Sequence, residues 1–230
     1  MNAAARLARL RLPLRTPRLE LRLPSARDVR DLRRSFRDPR TARAVGASLH
    51  SPAERRDPAR MVARTRAEYR RGEHLSLSVV LRDGGRCIGR VGLRGLDWPW
   101  RKVESLSYWI DPAYWDRGYA VEASWYLCRA AFSSLGLRRI ASQALAENAP
   151  SLAVLRRLGF VEEGREREAI RRRGVSHDMV LFGLLRGELA PAERIAASPR
   201  VTRRGRPGHP RPRGRGRAPR GPGRAPRGSR

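Results

Sequence analysis

The amino-acid sequence predicts an α+β domain built on one mixed, mostly antiparallel sheet with helices on both faces, followed by a disordered C-terminal tail. Three observations lead there. Period-two and period-3.6 apolar runs follow one another in the order β-α-α-β-β-β-α-β-α-β-β, which mixes hairpins with crossover helices. Asp83-Gly84-Gly85 and the stretch from Arg171 to Gly174 supply turns of hairpin length. Beyond Glu188 the composition turns to Pro, Gly and Arg, which leaves almost nothing to bury. The expected boundaries are 1–15 for a flexible N-terminal extension, 16–189 for the domain and 190–230 for the tail.

The opening strand is Arg18 to Leu23, where strict alternation puts three leucines on one face. Asp28 then caps a helix through Phe36, with Val29, Leu32 and Phe36 on one stripe, and Asp38-Pro39 closes it. Pro58 to Arg71 is a second helix, carrying Met61, Val62, Thr65 and Tyr69 in register. Strands Leu75 to Leu81 and Arg86 to Leu93 make a hairpin, and a wide loop from Asp97 to Arg101 leads to the strand Val103 to Ile110. A long helix runs from Gly118 to about Leu135 and stops at Gly136. The strand Arg138 to Leu145 and the helix Asn148 to Leu158 follow, with Gly159 as a left-handed cap. Two last strands, Phe160 to about Arg167 and Val175 to about Leu184, complete the domain.

Fifty-one basic residues face twenty-two acidic ones, for a net charge of +29, and Lys102 is the sole lysine. From Pro191 onward thirteen arginines face one carboxylate, Glu193, so the first 190 residues still carry most of the excess. Such a field attracts RNA, an anionic surface or nucleotide phosphates and repels polycations. The alternative is charge that serves solubility alone. Cys87 and Cys128 have no paired spacing and read as buried thiols. His50, His74, His177 and His209 show no ligand spacing, so no metal is expected. No apolar run is long enough to span a membrane, and the cytoplasm is the expected compartment.

The stretch with the most chemistry in it runs from Tyr108 to Ala123: a strand, a turn and a helix start. Gly118 at that turn lets an anion approach backbone N–H groups, and the first helical turn adds unpaired donors and the positive end of the dipole. Taken alone, a Gly before a helix is also an ordinary turn.

Trp115-Asp116-Arg117-Gly118-Tyr119-Ala120-Val121-Glu122-Ala123, after Ser107-Tyr108-Trp109, resembles the acetyl-CoA loop of the RimJ/RimL-type branch of the GNAT acetyltransferases. That loop typically reads Trp-Gly-Lys-Gly-Tyr-Ala-Thr-Glu-Ala. The likeness extends to Thr16-Pro17-Arg18-Leu19, Asn148-Ala149-Pro150-Ser151, Leu158-Gly159-Phe160, Glu163-Gly164 and Asp178, and so covers roughly residues 16–185. It implies the GNAT fold and acetyl-CoA as co-substrate. The diphosphate is expected on the amides of Arg117, Gly118, Tyr119 and Ala120, and the pantetheine arm on the Tyr108, Trp109 and Ile110 edge, with the oxyanion held near Trp109. Asp116, where the branch often has Gly, is a departure that puts a carboxylate near the phosphates.

By the same resemblance Asn148 contacts the pantetheine and Ser151 protonates the departing thiolate; an N-cap and a polar third helical position are the bland readings. Glu104 is the candidate base, although the branch commonly places its strand carboxylate where this chain has Ser105. Glu168, expected on the same face as Ile170, is a second candidate. Leu155 stands where many other GNAT members have an acidic tyrosine. Trp98 and Trp100 are expected at the substrate entrance. The implied function is acetyl transfer to an amine, the N-terminal α-amino group of a ribosomal protein first. A small-molecule amine acceptor and a non-catalytic protein that binds RNA through its basic tail are the alternatives.

Overall fold

The computed structural model describes residues 3–41, 52–95, 103–172 and 174–196. Strands β1 (Leu14–Arg15), β2 (Leu19–Arg22), β3 (His74–Leu81), β4 (Cys87–Arg94), β5 (Val103–Ile110), β6 (Arg139–Leu145), β7 (Val161–Arg172) and β8 (Val175–Leu185) form one sheet in the order β1-β2-β3-β4-β5-β6-β8-β7. Every neighbouring pair is antiparallel except β5 with β6, which are parallel. The helices are α1 (Ala3–Leu7), α2 (Val29–Arg37), α3 (Pro58–Arg71), α4 (Tyr119–Ser134), α5 (Ala149–Leu158) and α6 (Ala192–Ala196), with a five-residue turn of helix at Pro52–Arg56. The expected element order is thus present, and a mixed, mostly antiparallel sheet with helices on both faces is what the chain forms.

Side-chain alternation divides the core in two. Leu75, Leu77 and Val79 of β3 and Leu106 and Ile110 of β5 point to the face covered by α4 and α5, where Leu127, Ala131, Leu155 and Leu158 meet them. Val80, Cys87 and Trp109 point the other way, under Leu32 of α2 and Met61 and Val62 of α3. Only part of that second face is apolar. Ser76, Arg90 and Ser107 share its parity and make it polar beside β5. Both cysteines are buried and free, and burial pushes the Cys87 thiol up to about 11.

Helix ends follow the local chemistry. Asp57 caps α3, accepting from the N–H groups of Ala59 and Arg60, and Pro58 opens the first turn. Gly159 closes α5 at φ 97°, where an added Cβ would fall 2.1 Å from the Glu188 carbonyl oxygen, so the αL cap and the close approach both demand glycine.

Two boundaries differ from expectation. Residues 3–15 pack as α1 and β1, with Leu7 and Leu10 buried in the main core and Leu14 paired with Leu21. The alternation of Ala, Leu and Arg there was too irregular to show which leucines find a surface. At the other end Ala190 and Ile195 are buried, so the fold continues past residue 189 into α6. The remainder of the expected tail, 197–230, lies outside the described residues, as do Trp98 and Trp100. Among the described residues no helix is long and apolar enough to cross a membrane.

If α1 belongs to the core, Leu10→Ala lowers unfolding free energy by about 2–4 kcal/mol, the ordinary cost of emptying a buried leucine site. Chemical denaturation of the full chain reads it; a change below about 0.5 kcal/mol contradicts the packing.

Candidate active site

β5 and β6 pair only over Val103–Ser105 and Arg139–Ala141. Beyond that point β6 follows β8 down to Leu145–Met179, while β5 follows β4 up to Gly89–Ile110. The hydroxyl of Ser142 donates to the Leu106 carbonyl at 3.1 Å at the crotch of the fork. A cleft of about 160 Å³ opens above it, through the sheet from one face to the other.

Hydrogen-bonded pairs alternate along an antiparallel ladder. The Asp111 N–H donates to the Ile88 carbonyl at 2.7 Å, so the same register bonds Trp109 to Arg90 and Ser107 to Gly92. The main-chain groups of Tyr108 and Ile110 therefore face away from β4, into the cleft. The Ile110 carbonyl accepts the Trp115 indole N–H at 2.7 Å. Trp109, expected on the cofactor edge, belongs instead to the core: its backbone serves β4, and its ring lies 5.3 Å from that of Phe36 under α2.

Tyr108 reaches across the cleft. Its hydroxyl donates to the Ser151 carbonyl at 3.1 Å and lies 2.9 Å from Ser151 Oγ, a contact in which either oxygen can be the donor. Burial raises the phenol well above its ordinary range, so it stays protonated. Asn148 caps α5, its Oδ1 accepting from the Ser151 N–H at 3.2 Å, and both residues also line the cleft. Leu155 is a fully buried core residue.

Past the turn Pro112–Tyr114 that follows Ile110, the chain enters α4. Gly118 is its N-cap at φ 74°, with no side-chain cap, and the first helical bond is from the Glu122 N–H to the Gly118 carbonyl at 3.0 Å. The N–H groups of Tyr119, Ala120 and Val121 thus have no helical acceptor, the condition for anion binding. Asp116 also has positive φ, at 58°. This explains why glycine suits that position in the sequences this stretch resembles; Asp is one of the few other residues that tolerate it. Arg117 is exposed, over the Tyr114 ring at 5.5 Å.

Glu122 fastens this turn to the sheet. Its carboxylate, 5% exposed, accepts from Thr16 Oγ1 at 2.5 Å, from the Arg18 N–H at 3.0 Å and from Arg18 Nε at 2.6 Å. Arg18 in turn donates to the Arg117 carbonyl at 2.9 Å and stacks over Tyr119 at 4.6 Å.

Of the two expected bases only Glu168 has a described side chain, and it does not meet the cleft. Glu104 pairs with Ile140 in the closed part of the fork and shares the strand parity of Leu106; its side chain lies outside the described residues. Ser105, by contrast, lines the cleft. Glu168 is exposed at φ 51° in an irregularity of β7 between Glu166 and Ile170, its N–H donating to Asp178 at 2.9 Å. That bond, with Arg165, holds the Asp178 carboxyl below the usual range. The bulge breaks the alternation that was to align Glu168 with Ile170; Ile170 alone lines the cleft.

A model of the acetyltransferase (GNAT) domain matches residues 18–161, more than half of the chain. The chain belongs to the GNAT acetyltransferase family. A relative in Bacillus subtilis (strain 168), named "Putative ribosomal N-acetyltransferase YdaF", is 38% identical over 109 residues, 47% of this chain and 58% of that protein, so the match spans little more than half its length. The uncharacterized N-acetyltransferase p20 of Bacillus licheniformis is 29% identical over 178 residues, 77% of this chain and 98% of its own. Among solved structures, Mycobacterium smegmatis RimJ in complex with CoA-disulfide superimposes with a TM-score of 0.68 at 23% identity, over 78% of this chain and 88% of that one.

Sequence reasoning placed the GNAT turn but missed what holds it. Thr16, Arg18 and Glu122 were noted as motif letters; only the fold brings residues 104 apart in sequence together. Glu122→Gln is expected to cost about 2–3 kcal/mol, since it removes a buried charge from a hydrogen-bonded pair. A thermal midpoint within a degree of the parent contradicts the fastening role.

Proposed function

We propose that the chain transfers an acetyl group from acetyl-CoA to an α-amino group, with the N-terminus of a ribosomal protein as the acceptor. The observation that carries this is continuity: a strand edge left open at Tyr108 and at the Ile110 N–H is followed, after the single turn Pro112–Tyr114, by an uncapped helix start at Gly118. An extended amide-bearing arm fits the first and a diphosphate fits the second. The chemistry acetyl-CoA supplies is an activated thioester carbonyl.

The chain's own residues supply position, charge and protons. The amides of Gly118, Tyr119 and Ala120 hold the diphosphate, with Arg117 adding charge beside them. The open main-chain groups of Tyr108 and the Ile110 N–H hold the arm in the fork, and the Tyr108 edge, rather than that of Trp109, meets the thioester oxygen as it gains charge. The Tyr108 hydroxyl, turned from the Ser151 carbonyl to Ser151 Oγ, leaves the Ser151 O–H free to donate to the departing sulfur, and the proton that the nitrogen loses on acylation restores the Ser151 hydroxyl.

An amine attacks only when neutral. The described lining of the cleft includes Arg94 and Arg172 and no carboxylate. Guanidinium groups disfavour a second positive charge nearby and so lower the acceptor's pKa. That suffices for an α-amine, at about 7.7–8.0, and falls short for a lysine amine near 10.4. The names of the relatives and the charge of +29 support a ribosomal setting.

Three outcomes follow. Ser151→Ala lowers kcat by on the order of tenfold or more while leaving the KM for acetyl-CoA nearly unchanged; loss of acetyl-CoA binding instead makes Ser151 structural. For an α-amino peptide kcat/KM rises with pH and levels off at or below about pH 8, where the bound amine has lost its proton; a profile still climbing towards pH 10 contradicts unaided deprotonation. Asp116→Asn keeps a residue tolerant of positive φ and removes a charge near the phosphates, so CoA binds about two- to fivefold tighter at low salt, a gain that salt erases. Calorimetry reads it, and equal affinity at every ionic strength removes Asp116 from the phosphate environment.

A further inference from the structure

Arg90 stands on the polar half of the sheet face beneath α3, 3% exposed, and has no role in the chemistry above. Its Nη2 donates to Thr65 Oγ1 at 2.8 Å and to Ser76 Oγ at 2.7 Å, and its buried Nε has no hydrogen-bond partner among the described residues. Burial is the main influence on the guanidinium and pulls it down to about 10. The carboxylate that favours its charge, Glu68, is in an ion pair with Arg64 at 3.2 Å. A buried cation held only by hydroxyls costs stability unless something anionic joins it, and an apolar residue of similar size is the cheaper strut between α3 and β3.

The space beside Arg90 says what can join it. A cavity of about 20 Å³ between β4 and β5 is walled by Arg90, Gly92, Arg94 and Ser107. It has room for roughly one water molecule, or one oxygen atom of a ligand. Arg94, Ser107 and Tyr108 line this cavity and the fork cleft alike, so the two meet beside the strand on which the thioester is expected. Arg172, whose Nε is likewise buried and without a partner among the described residues, lines the cleft from β7.

We propose that the acceptor carries a carboxylate close to its reacting nitrogen, and that one oxygen of this carboxylate seats against the buried guanidinium of Arg90, next to Arg94. The proposal rests on the N-acetyltransfer reading and sharpens it to an anionic amine: either a protein N-terminus with an acidic residue just behind it or a free amino acid. Polyamines and other cationic amines meet three guanidinium groups and are excluded.

The test uses the full chain with acetyl-CoA at saturation and two matched substrate pairs, read by thiol release. One pair is a heptapeptide with Asp at its second position and its Asn counterpart; the other is a free amino acid and its carboxamide. In one of the pairs the anionic member is expected to exceed the neutral one by about 10- to 100-fold in kcat/KM, mainly through KM, as a charge-assisted buried hydrogen bond implies. Which pair does so identifies the source of the carboxylate. The ratio collapses towards one in Arg90→Met. Equal values within both pairs for the parent protein overturn the proposal however the variant folds, and so does a ratio that Arg90→Met leaves intact. If no amine turns over while CoA still binds, the N-acetyltransfer reading fails, and succinate titrated into the CoA-saturated protein decides the pocket separately. Heat that Arg90→Met abolishes supports it; no heat with the parent protein rejects it.

Discussion

The parting of β5 from β6 after three paired residues is the constraint on which the site depends. A sheet whose central strands stayed paired would use up the main-chain groups of Tyr108 and Ile110 in its own ladder. Because β6 is committed to β8 along its whole length and β5 to β4, the two halves of the sheet diverge and leave the Tyr108 groups and the Ile110 N–H outside the ladder. The strand that forms the open edge is followed, after the single turn Pro112–Tyr114, by Gly118, so one stretch of chain supplies both the edge and the uncapped helix. The buried Glu122 carboxylate, clasped by Thr16 and Arg18, ties that helix start back to the sheet and fixes the distance between the two.

Electrostatics then sort what can enter. The described walls of the cleft are basic, a property that assists an anionic co-substrate and lowers the proton affinity of a bound amine. The position at which sequences of this type commonly hold a carboxylate is Ser105, and it faces the cleft. A weakly basic amine needs no such base, whereas a strongly basic one does. The buried Arg90 extends the same logic from proton affinity to the shape and charge of the acceptor.

Much of this was legible in the sequence. β5 matches its expected limits, α3 spans Pro58 to Arg71 as expected, and Gly159 caps α5 where its chemistry placed it. The turn at Gly118 was legible because glycine and the helix period leave few alternatives. Glu168 was misplaced because a bulge, with positive φ at a glutamate, carries no sequence signature of its own. Trp109 was misassigned because period two tells which residues share a face but not which ladder their backbone groups join; that depends on strand order. Leu7 and Leu10 were read as a loose extension because their burial depends on a surface formed by distant residues. Arg90 gave no signal, since an arginine in an alternating strand ordinarily faces water.

Amide hydrogen exchange on the full chain, with and without saturating CoA, tests the central claim most directly. Exchange at Tyr108, Tyr119, Ala120 and Val121 is predicted to slow on binding, while Trp109, already bonded to β4, changes little. Unaltered exchange at Tyr108 and the first turn of α4, under conditions where CoA is demonstrably bound, contradicts the account.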